Sequence, residues 1–271
     1  PVLLVLPATL LANWKNESAK FTPGLKLGML HASGMESKDW TDFEEKPEAY
    51  LKQFDIVLTT YGMLPRLPIL AKLKFPAVIA DEAQAIKNPH AKQSRALRKL
   101  NADQRIALTG TPVENRLTDL WSIFDFVNPG LLGTLKNFQD FSKTLNNDYK
   151  PLRKLTQPFI LRRLKTDKKI ISDLPDKTEL KVYCTLSKQQ AAIYQKCVEE
   201  MQEALQEEEG IKRRGIVLSY LMRFKQICNH PAQFLGNGNF EAKDAGKFLR
   251  LEELSESITS RQEKLLVFTQ F

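Results

Sequence analysis

The tightest constraint on this fold is Ala77-Val78-Ile79-Ala80-Asp81-Glu82-Ala83-Gln84, an apolar run that ends abruptly in two carboxylates. Ala77 to Ala80 follows Pro76 and is uniformly apolar, the pattern of a strand buried on both faces of a parallel sheet. In open α/β sheets, ligands bind at the carboxyl ends of such strands, where side chains first reach solvent. Asp81 and Glu82 stand at that edge. An acid there can hold a Mg²⁺ ion that bridges nucleotide phosphates, and its neighbour can orient or deprotonate an attacking water. Strict strand alternation points the two side chains opposite ways. A shared site therefore requires the strand to end at Asp81, so that Glu82 turns back into the cleft. The competing reading has Asp81 capping a helix and Glu82 favourably placed near its N-terminus.

The flanking chain alternates strands with helices, which implies a parallel α/β sheet. Pro1 to Leu6 reads as a buried strand, and Leu10 to Phe21 as a helix closed by Pro23-Gly24. Leu25 to Leu30 is a second strand, His31 to Lys46 a polar loop, and Glu48 to Gln53 a short helix. Phe54 to Thr60 is a third strand, rich in β-branched residues and stopped by Tyr61-Gly62. After the central strand come a helix from about His90 to Leu100 and a fifth strand, Arg105 to Leu108. That strand ends in Thr109-Gly110-Thr111-Pro112. Three strand ends, Thr59-Thr60, Asp81-Glu82 and Thr109-Gly110-Thr111, thus gather polar groups on one edge.

From Leu117 the periodicity turns helical, with Leu120, Trp121, Phe124 and Val127 at helix spacing and a stop at Asn128-Pro129-Gly130. Further helices cover Phe138 to Leu145 and Tyr149 to Thr156. Pro158 to Arg163 leads into a basic stretch with Lys165, Lys168 and Lys169, and Asp173-Leu174-Pro175-Asp176 breaks the chain. Beyond the break, Glu179 to Cys184 alternates like a strand. Ser187 and Gln190 form a capping box for a long helix. Glu207-Glu208-Glu209-Gly210 facing Lys212-Arg213-Arg214 reads as a solvated turn of mixed charge. A helix from Ile216 to Cys228 ends at Asn229-His230-Pro231, and Phe234 to Phe240 is a loop. A helix from Phe248 to Ile258 and a final strand, Lys264 to Phe268, follow.

Composition narrows the class. Of the 271 residues, 42% are hydrophobic and 27% charged, the balance of a globular protein with enough chain for one large domain or two ordinary ones. A net charge of +8 favours a polyanionic partner. Cys184, Cys197 and Cys228 form no paired ladder, which favours a reducing compartment. The opening Pro1 to Leu6 is too short to span a bilayer, which takes about 20 residues. With no initiator Met, the chain reads as a fragment that opens within a buried strand.

Several motifs fall to simpler readings. A phosphate-cradling loop needs Gly, four residues, then Gly-Lys and a hydroxyl residue. At Gly246-Lys247 the first Gly is replaced by Glu241 and the hydroxyl by Phe248, so the motif fails. Cys228 and His230 have no partner pair at zinc spacing, and no structural metal is expected. Trp14 and Trp121 lie on apolar helix faces and read as core. Arg162-Arg163 fits a phosphate contact and a solvated face equally well.

With these residues assembled, the chain resembles the Swi/Snf-type helicase-like ATPases, in their bacterial and archaeal branch. Asp81 to Pro89, with Gln84 where others have His, resembles motif II. Arg105 to Asn115 resembles motif III, followed by the Leu120-Trp121-Ser122-Ile123 helix. Val5-Leu6-Pro7 with Asn13-Trp14 is similar to motif Ia, and Leu58 to Gly62 to the next DNA-side motif. Pro158 to Lys165 with Leu174-Pro175, and Leu221 to Pro231, resemble segments that set this family apart from ordinary helicases. Val267 to Phe271 resembles the start of motif IV.

The resemblance implies two RecA-like lobes with helical protrusions. Residues 1–165 would form the first lobe, with a protrusion from about 117, and residues 166–271 a linker, a second protrusion and the beginning of the second lobe. It implies an enzyme that uses ATP and Mg²⁺ to translocate on double-stranded DNA and remodel or displace DNA-bound proteins or transcription complexes. The location implied is cytoplasmic, on the nucleoid of a prokaryote, with no membrane partner. Asp81 would position Mg²⁺ through water and Glu82 would activate water. Gln84, Thr109, Gly110 and Thr111 would line the nucleotide side, with Gln84 sensing the cleft and the two threonines coupling nucleotide state to DNA grip. Asn13, Thr59, Thr60, Arg162 and Arg163 would lie on the DNA side.

The phosphate-loop motif and the last motifs, with their transition-state arginine, are missing from these 271 residues, so the fragment alone is expected not to hydrolyse ATP. Two other classes compete. One is a non-hydrolysing module that binds nucleic acid or protein, which has no need of both carboxylates. The other is a strand-separating helicase, disfavoured by the helical insertion between Leu117 and Leu161 and by the Lys225 to Pro231 segment.

Overall fold

A computed structural model describes residues 1–111, 116–146, 148–165, 167–168, 173–175, 177–206 and 209–271. Pro112 to Asn115 of the motif III resemblance lie outside the described residues. So do Lys169 of the basic stretch, Asp176 of the chain break and Glu207-Glu208 of the charged turn. The chain divides into two compact units, Pro1–Arg162 and Arg163–Phe271.

In the first unit five strands, β1 (Val2–Leu6), β2 (Leu27–Leu30), β3 (Ile56–Thr60), β4 (Lys74–Ala80) and β5 (Asn101–Ala107), form one parallel sheet in the order β2-β3-β1-β4-β5. Leu6 pairs with Thr60, Val5 with Ala80, and Ala80 with Ala107. Every strand therefore ends on the same edge, which brings Pro7, Tyr61, Asp81 and Leu108 into one row.

Alternation along the strands assigns side chains to two apolar layers. Leu3, Val5, Val57, Val78 and Ala80 pack beneath Phe43, Leu97, Ile123 and Phe126. Leu4, Leu6, Leu58 and Ile79 pack against Leu11 and Trp14 of α1 (Leu11–Phe21). The sheet is thus covered on both faces, as a parallel sheet must be.

The loop expected over His31 to Lys46 contains a helix, α2 (Ser37–Glu45). Two features outweigh its polar composition. Asp39 accepts the Glu36 backbone N–H at 3.0 Å, closing the helix start. Phe43 is buried and stacks edge-on with Trp40 and with Tyr50 of α3 (Pro47–Leu51). α4 (Lys92–Arg98) lies within its expected span, and α5 (Leu117–Val127) follows its sequence pattern at both ends. α5 is apolar nearly all round because it serves two clusters. Ile123 and Phe126 face the sheet layer, while Leu120, Trp121 and Phe124 pack with Phe138 of α6 (Leu135–Thr144) and Leu152 of α7 (Lys150–Thr156).

The second unit is built on two antiparallel helices, α8 (Lys188–Gln206) and α9 (Gly210–Asn229). Tyr194 stacks on Phe224 with ring centroids 4.6 Å apart, and Gln190 Nε2 donates to Ile227 O at 2.7 Å. The expected capping box is present: Ser187 N–H donates to Gln190 Oε1 at 3.1 Å, and Gln190 N–H to Ser187 Oγ at 3.1 Å. α9 begins earlier than expected, so Lys212-Arg213-Arg214 is helical and not a turn. His230 ends α9 and caps α10 (Pro231–Leu235), its Nδ1 accepting the Ala232 N–H while Nε2–H donates to Glu241 O. The helix α10 occupies the start of the expected Phe234 to Phe240 loop.

Two expected strands do not form. Residues 179–184 and 264–268 are irregular, with Leu180 84% and Phe268 90% exposed. An alternating or apolar run makes a strand only where a neighbour takes up its backbone hydrogen bonds, and neither segment has one among the described residues.

α11 (Gly246–Ser260) starts at the glycine of the failed phosphate loop, and that glycine has a packing reason. A Cβ at Gly246 would fall on the carbonyl oxygen of Thr185. Gly246→Ala should therefore push α11 off the start of α8 and lower stability by about 1–3 kcal/mol, read as a lower unfolding midpoint. Among the described residues no helix is long and apolar enough to cross a membrane.

Candidate functional site

The site grows from the end of β4. The strand stops at Ala80, and Glu82 adopts a left-handed conformation (φ 49°, ψ 52°) that leads into a short 3₁₀ turn, Ala83–Ile86. This is the reversal that a shared Asp81–Glu82 site demands. For a residue with a side chain such backbone costs on the order of 1–3 kcal/mol, and it persists only where the surroundings hold it. Here Ala83 N–H donates to Leu108 O at 2.9 Å, Leu108 N–H to Ala80 O at 2.8 Å, and Ala83 and Ile86 are buried. The alternative of Asp81 capping an α-helix is not what the chain does.

Asp81 is held at every polar atom but leaves room for a ligand. Its N–H donates to Val5 O at 2.8 Å, and its carbonyl accepts the Tyr61 hydroxyl at 2.7 Å. Oδ1 accepts the Glu82 N–H at 2.9 Å and Oδ2 accepts the Trp14 indole N–H at 2.7 Å. One hydrogen bond per carboxylate oxygen leaves each a free acceptor site. Burial, reinforced by the nearby Asp81 and Glu82 carboxylates, raises the Tyr61 phenol above its ordinary value, so it remains a donor across the neutral range.

Glu82 and Thr109 are joined through Gln84. Gln84 Nε2 donates to Glu82 Oε2 at 2.6 Å, and Thr109 Oγ1 donates to Gln84 Oε1 at 2.7 Å. Thr111 N–H then donates to Thr109 Oγ1 at 3.1 Å. A polar relay therefore runs from the β5 turn to the Glu82 carboxylate. Gly110 and Thr111 are exposed beside it.

The expected DNA-side residues are less uniform. Asn13 is exposed on α1, next to the half-buried Trp14. Thr59 is buried and its hydroxyl donates to Leu30 O at 3.1 Å, and Thr60 is buried as well. The Thr59 hydroxyl is therefore engaged within the fold. Arg162 and Arg163 are exposed in an irregular segment at the boundary between the two units.

Sequence reasoning left Trp14 and Tyr61 out of the site. Trp14 was read as core, which is true of its ring, but a half-buried indole N–H also needs an acceptor. Tyr61 follows a strand end directly, where a phenol can reach back over the neighbouring strand.

The profile of the SNF2-related domain matches residues 1–233. The chain is 39% identical over its whole length to YwqA of Bacillus subtilis, named as an ATP-dependent helicase/translocase, and spans 30% of that protein. It is 31% identical to the transcription regulatory protein SNF2 of Saccharomyces cerevisiae and spans 17% of it. Among solved structures it matches the Sulfolobus solfataricus SWI2/SNF2 ATPase core in complex with dsDNA, at 41% identity and a TM-score of 0.56, covering all of this chain and 56% of that one. The parallel sheet flanked by helices is therefore the RecA-like fold of that core. With the profile match taking in both the Asp81-Glu82 strand end and the Thr109 turn, this chain belongs to the SNF2 family of helicase-like ATPases.

Proposed function

We propose that this chain is the part of an ATP-dependent double-stranded DNA translocase that carries the water-activating and cation-holding carboxylates, and that the intact protein remodels or displaces DNA-bound proteins. The observation that carries the reading is the left-handed Glu82, folded back beside Asp81 and tied through Gln84 to Thr109.

Asp81 fits Mg²⁺ chemically: a fixed carboxylate with a free acceptor site on each oxygen, at the ligand edge of a parallel sheet, suits a cation that keeps most of its waters and takes one or two carboxylates. When bound, Mg²⁺ would neutralise charge on the phosphates of ATP. Glu82 accepts a proton from the attacking water, and Gln84 holds its carboxylate in place for that task. Thr109 and Thr111 report the state of the cleft through the relay, with Gly110 leaving backbone groups accessible beside them.

On the duplex side we place Asn13, Arg162 and Arg163, whose exposed polar groups suit phosphate oxygens. Thr59 and Thr60, at the end of β3, would lie on the same side, with Thr59 anchored by its bond to Leu30 O. Residues 1–165 would then be the first lobe with its protrusion, and 166–271 the linker, second protrusion and beginning of the second lobe. The intact protein would work in the cytoplasm, on the nucleoid of a prokaryote. Its relative's structure with dsDNA and the net charge of +8 support a duplex partner. Because these residues hold no phosphate-cradling loop, we propose that they do not turn over ATP alone.

Translocation without unwinding has its own signature. The intact protein with ATP should displace a third strand from a DNA triplex while leaving the underlying duplex paired. Separation of the duplex strands would instead favour a strand-separating helicase.

A further inference from the structure

Trp14 and Asp81 are 67 residues apart in the chain, yet the indole N–H meets the carboxylate at 2.7 Å. The indole belongs to α1 and is half-buried against the apolar layer of Leu4, Leu6, Leu11 and Leu58. Packing fixes the ring, and the ring fixes where its single donor points.

The two hydrogen bonds on the Asp81 carboxylate differ in kind. The donor to Oδ1 is the next backbone N–H, which goes wherever the Glu82 turn goes. The donor to Oδ2 comes from a separate element, helix α1. A carboxylate held only from its own backbone can still rotate about its side-chain bonds. One held from both sides cannot. Charge-assisted bonds of this length are the strong ones, and partners that orient a ligand carboxylate are a main determinant of cation affinity.

We infer that Trp14 is a positioning residue for the divalent cation: its N–H locks the Asp81 carboxylate in the orientation that binds the ion, and makes α1 part of the cation site. The inference rests on the reading of Asp81 as the cation-holding carboxylate.

The test uses the intact protein and a fluorescent non-hydrolysable ATP analogue, with binding followed as Mg²⁺ is titrated. Trp14→Phe keeps an aromatic ring in the apolar layer and removes only the donor. It should raise the Mg²⁺ needed for half-maximal binding by about tenfold, and the deficit should disappear at saturating Mg²⁺. Asp81→Asn, measured alongside, should raise it at least as much. A folded Trp14→Phe protein with an unchanged Mg²⁺ requirement, next to a raised one in Asp81→Asn, overturns the inference and leaves the cation reading of Asp81 intact. An unchanged requirement in both variants overturns the cation reading, and the role of Trp14 with it.

Should Trp14→Phe fail to fold, the wild-type protein supplies the answer through nuclear magnetic resonance. The indole N–H resonance that is displaced in Asp81→Asn should also move when Mg²⁺ and the analogue are added. No such movement rejects the inference.

Discussion

Glu82→Gln in the intact protein should lower ATP turnover by about 10²–10⁴-fold, the usual contribution of a positioned general base, while nucleotide should still bind. The substitution is nearly isosteric, so the left-handed turn at residue 82 and the buried Ala83 and Ile86 anchors remain as they are. Gln84 Nε2 can still donate to the amide oxygen that replaces Oε2. What disappears is the carboxylate able to take a proton from water. The measurement is steady-state turnover beside analogue binding. A drop in binding as large as the drop in turnover would mean that Glu82 holds nucleotide and does not activate water.

Phe126→Ala should destabilise the first unit by about 3–5 kcal/mol, the range for emptying a buried aromatic position. Phe126, on α5, is fully buried against the sheet layer. Its ring lies under the Arg105 guanidinium, 5.8 Å from ring centre to Cζ, and its carbonyl accepts from Arg105 Nη1 at 3.2 Å. The carbonyl bond survives the substitution but the ring does not, leaving a cavity where α5 meets β5. Against a total of about 5–15 kcal/mol for a domain, this loss is large. Denaturant unfolding of the intact protein should show its earliest transition at a clearly lower midpoint. Phe141→Ala, at a partly exposed position on α6, should move it far less.

The two predictions separate chemistry from scaffold, and the sequence served them unequally. The parallel sheet was legible because each strand is a short apolar run with a polar stop, and because a chain alternating strands and helices has few ways to pack. The capping box at Ser187 and Gln190 was legible for the same local reason. Helix α2 was not, since what fixes it is the burial of Phe43 and the edge-on stacking of Trp40 and Tyr50, which its polar composition conceals. The segments 179–184 and 264–268 failed in the opposite direction: alternation in the first and an apolar run in the second suggested strands, but a strand exists only with a neighbour.

At the site, the need for Glu82 to turn back could be stated from spacing alone, and its left-handed backbone meets it. The relay through Gln84 and the indole bond to Asp81 could not be read in advance. They join residues 25 and 67 positions apart, and only the strand register brings them together. The burial of Thr59 follows from the same register, because its side chain falls on the covered layer with Val5 and Leu30.

We propose that the Asp81–Glu82 edge serves an ATPase driven by duplex DNA. The most direct measurement is ATP turnover by the intact protein with no nucleic acid, with duplex DNA, with single-stranded DNA and with RNA. Duplex DNA should stimulate turnover strongly, and Glu82→Gln should abolish that stimulation. Stimulation by RNA or single strands in preference to the duplex, or binding without turnover under every condition, would contradict it.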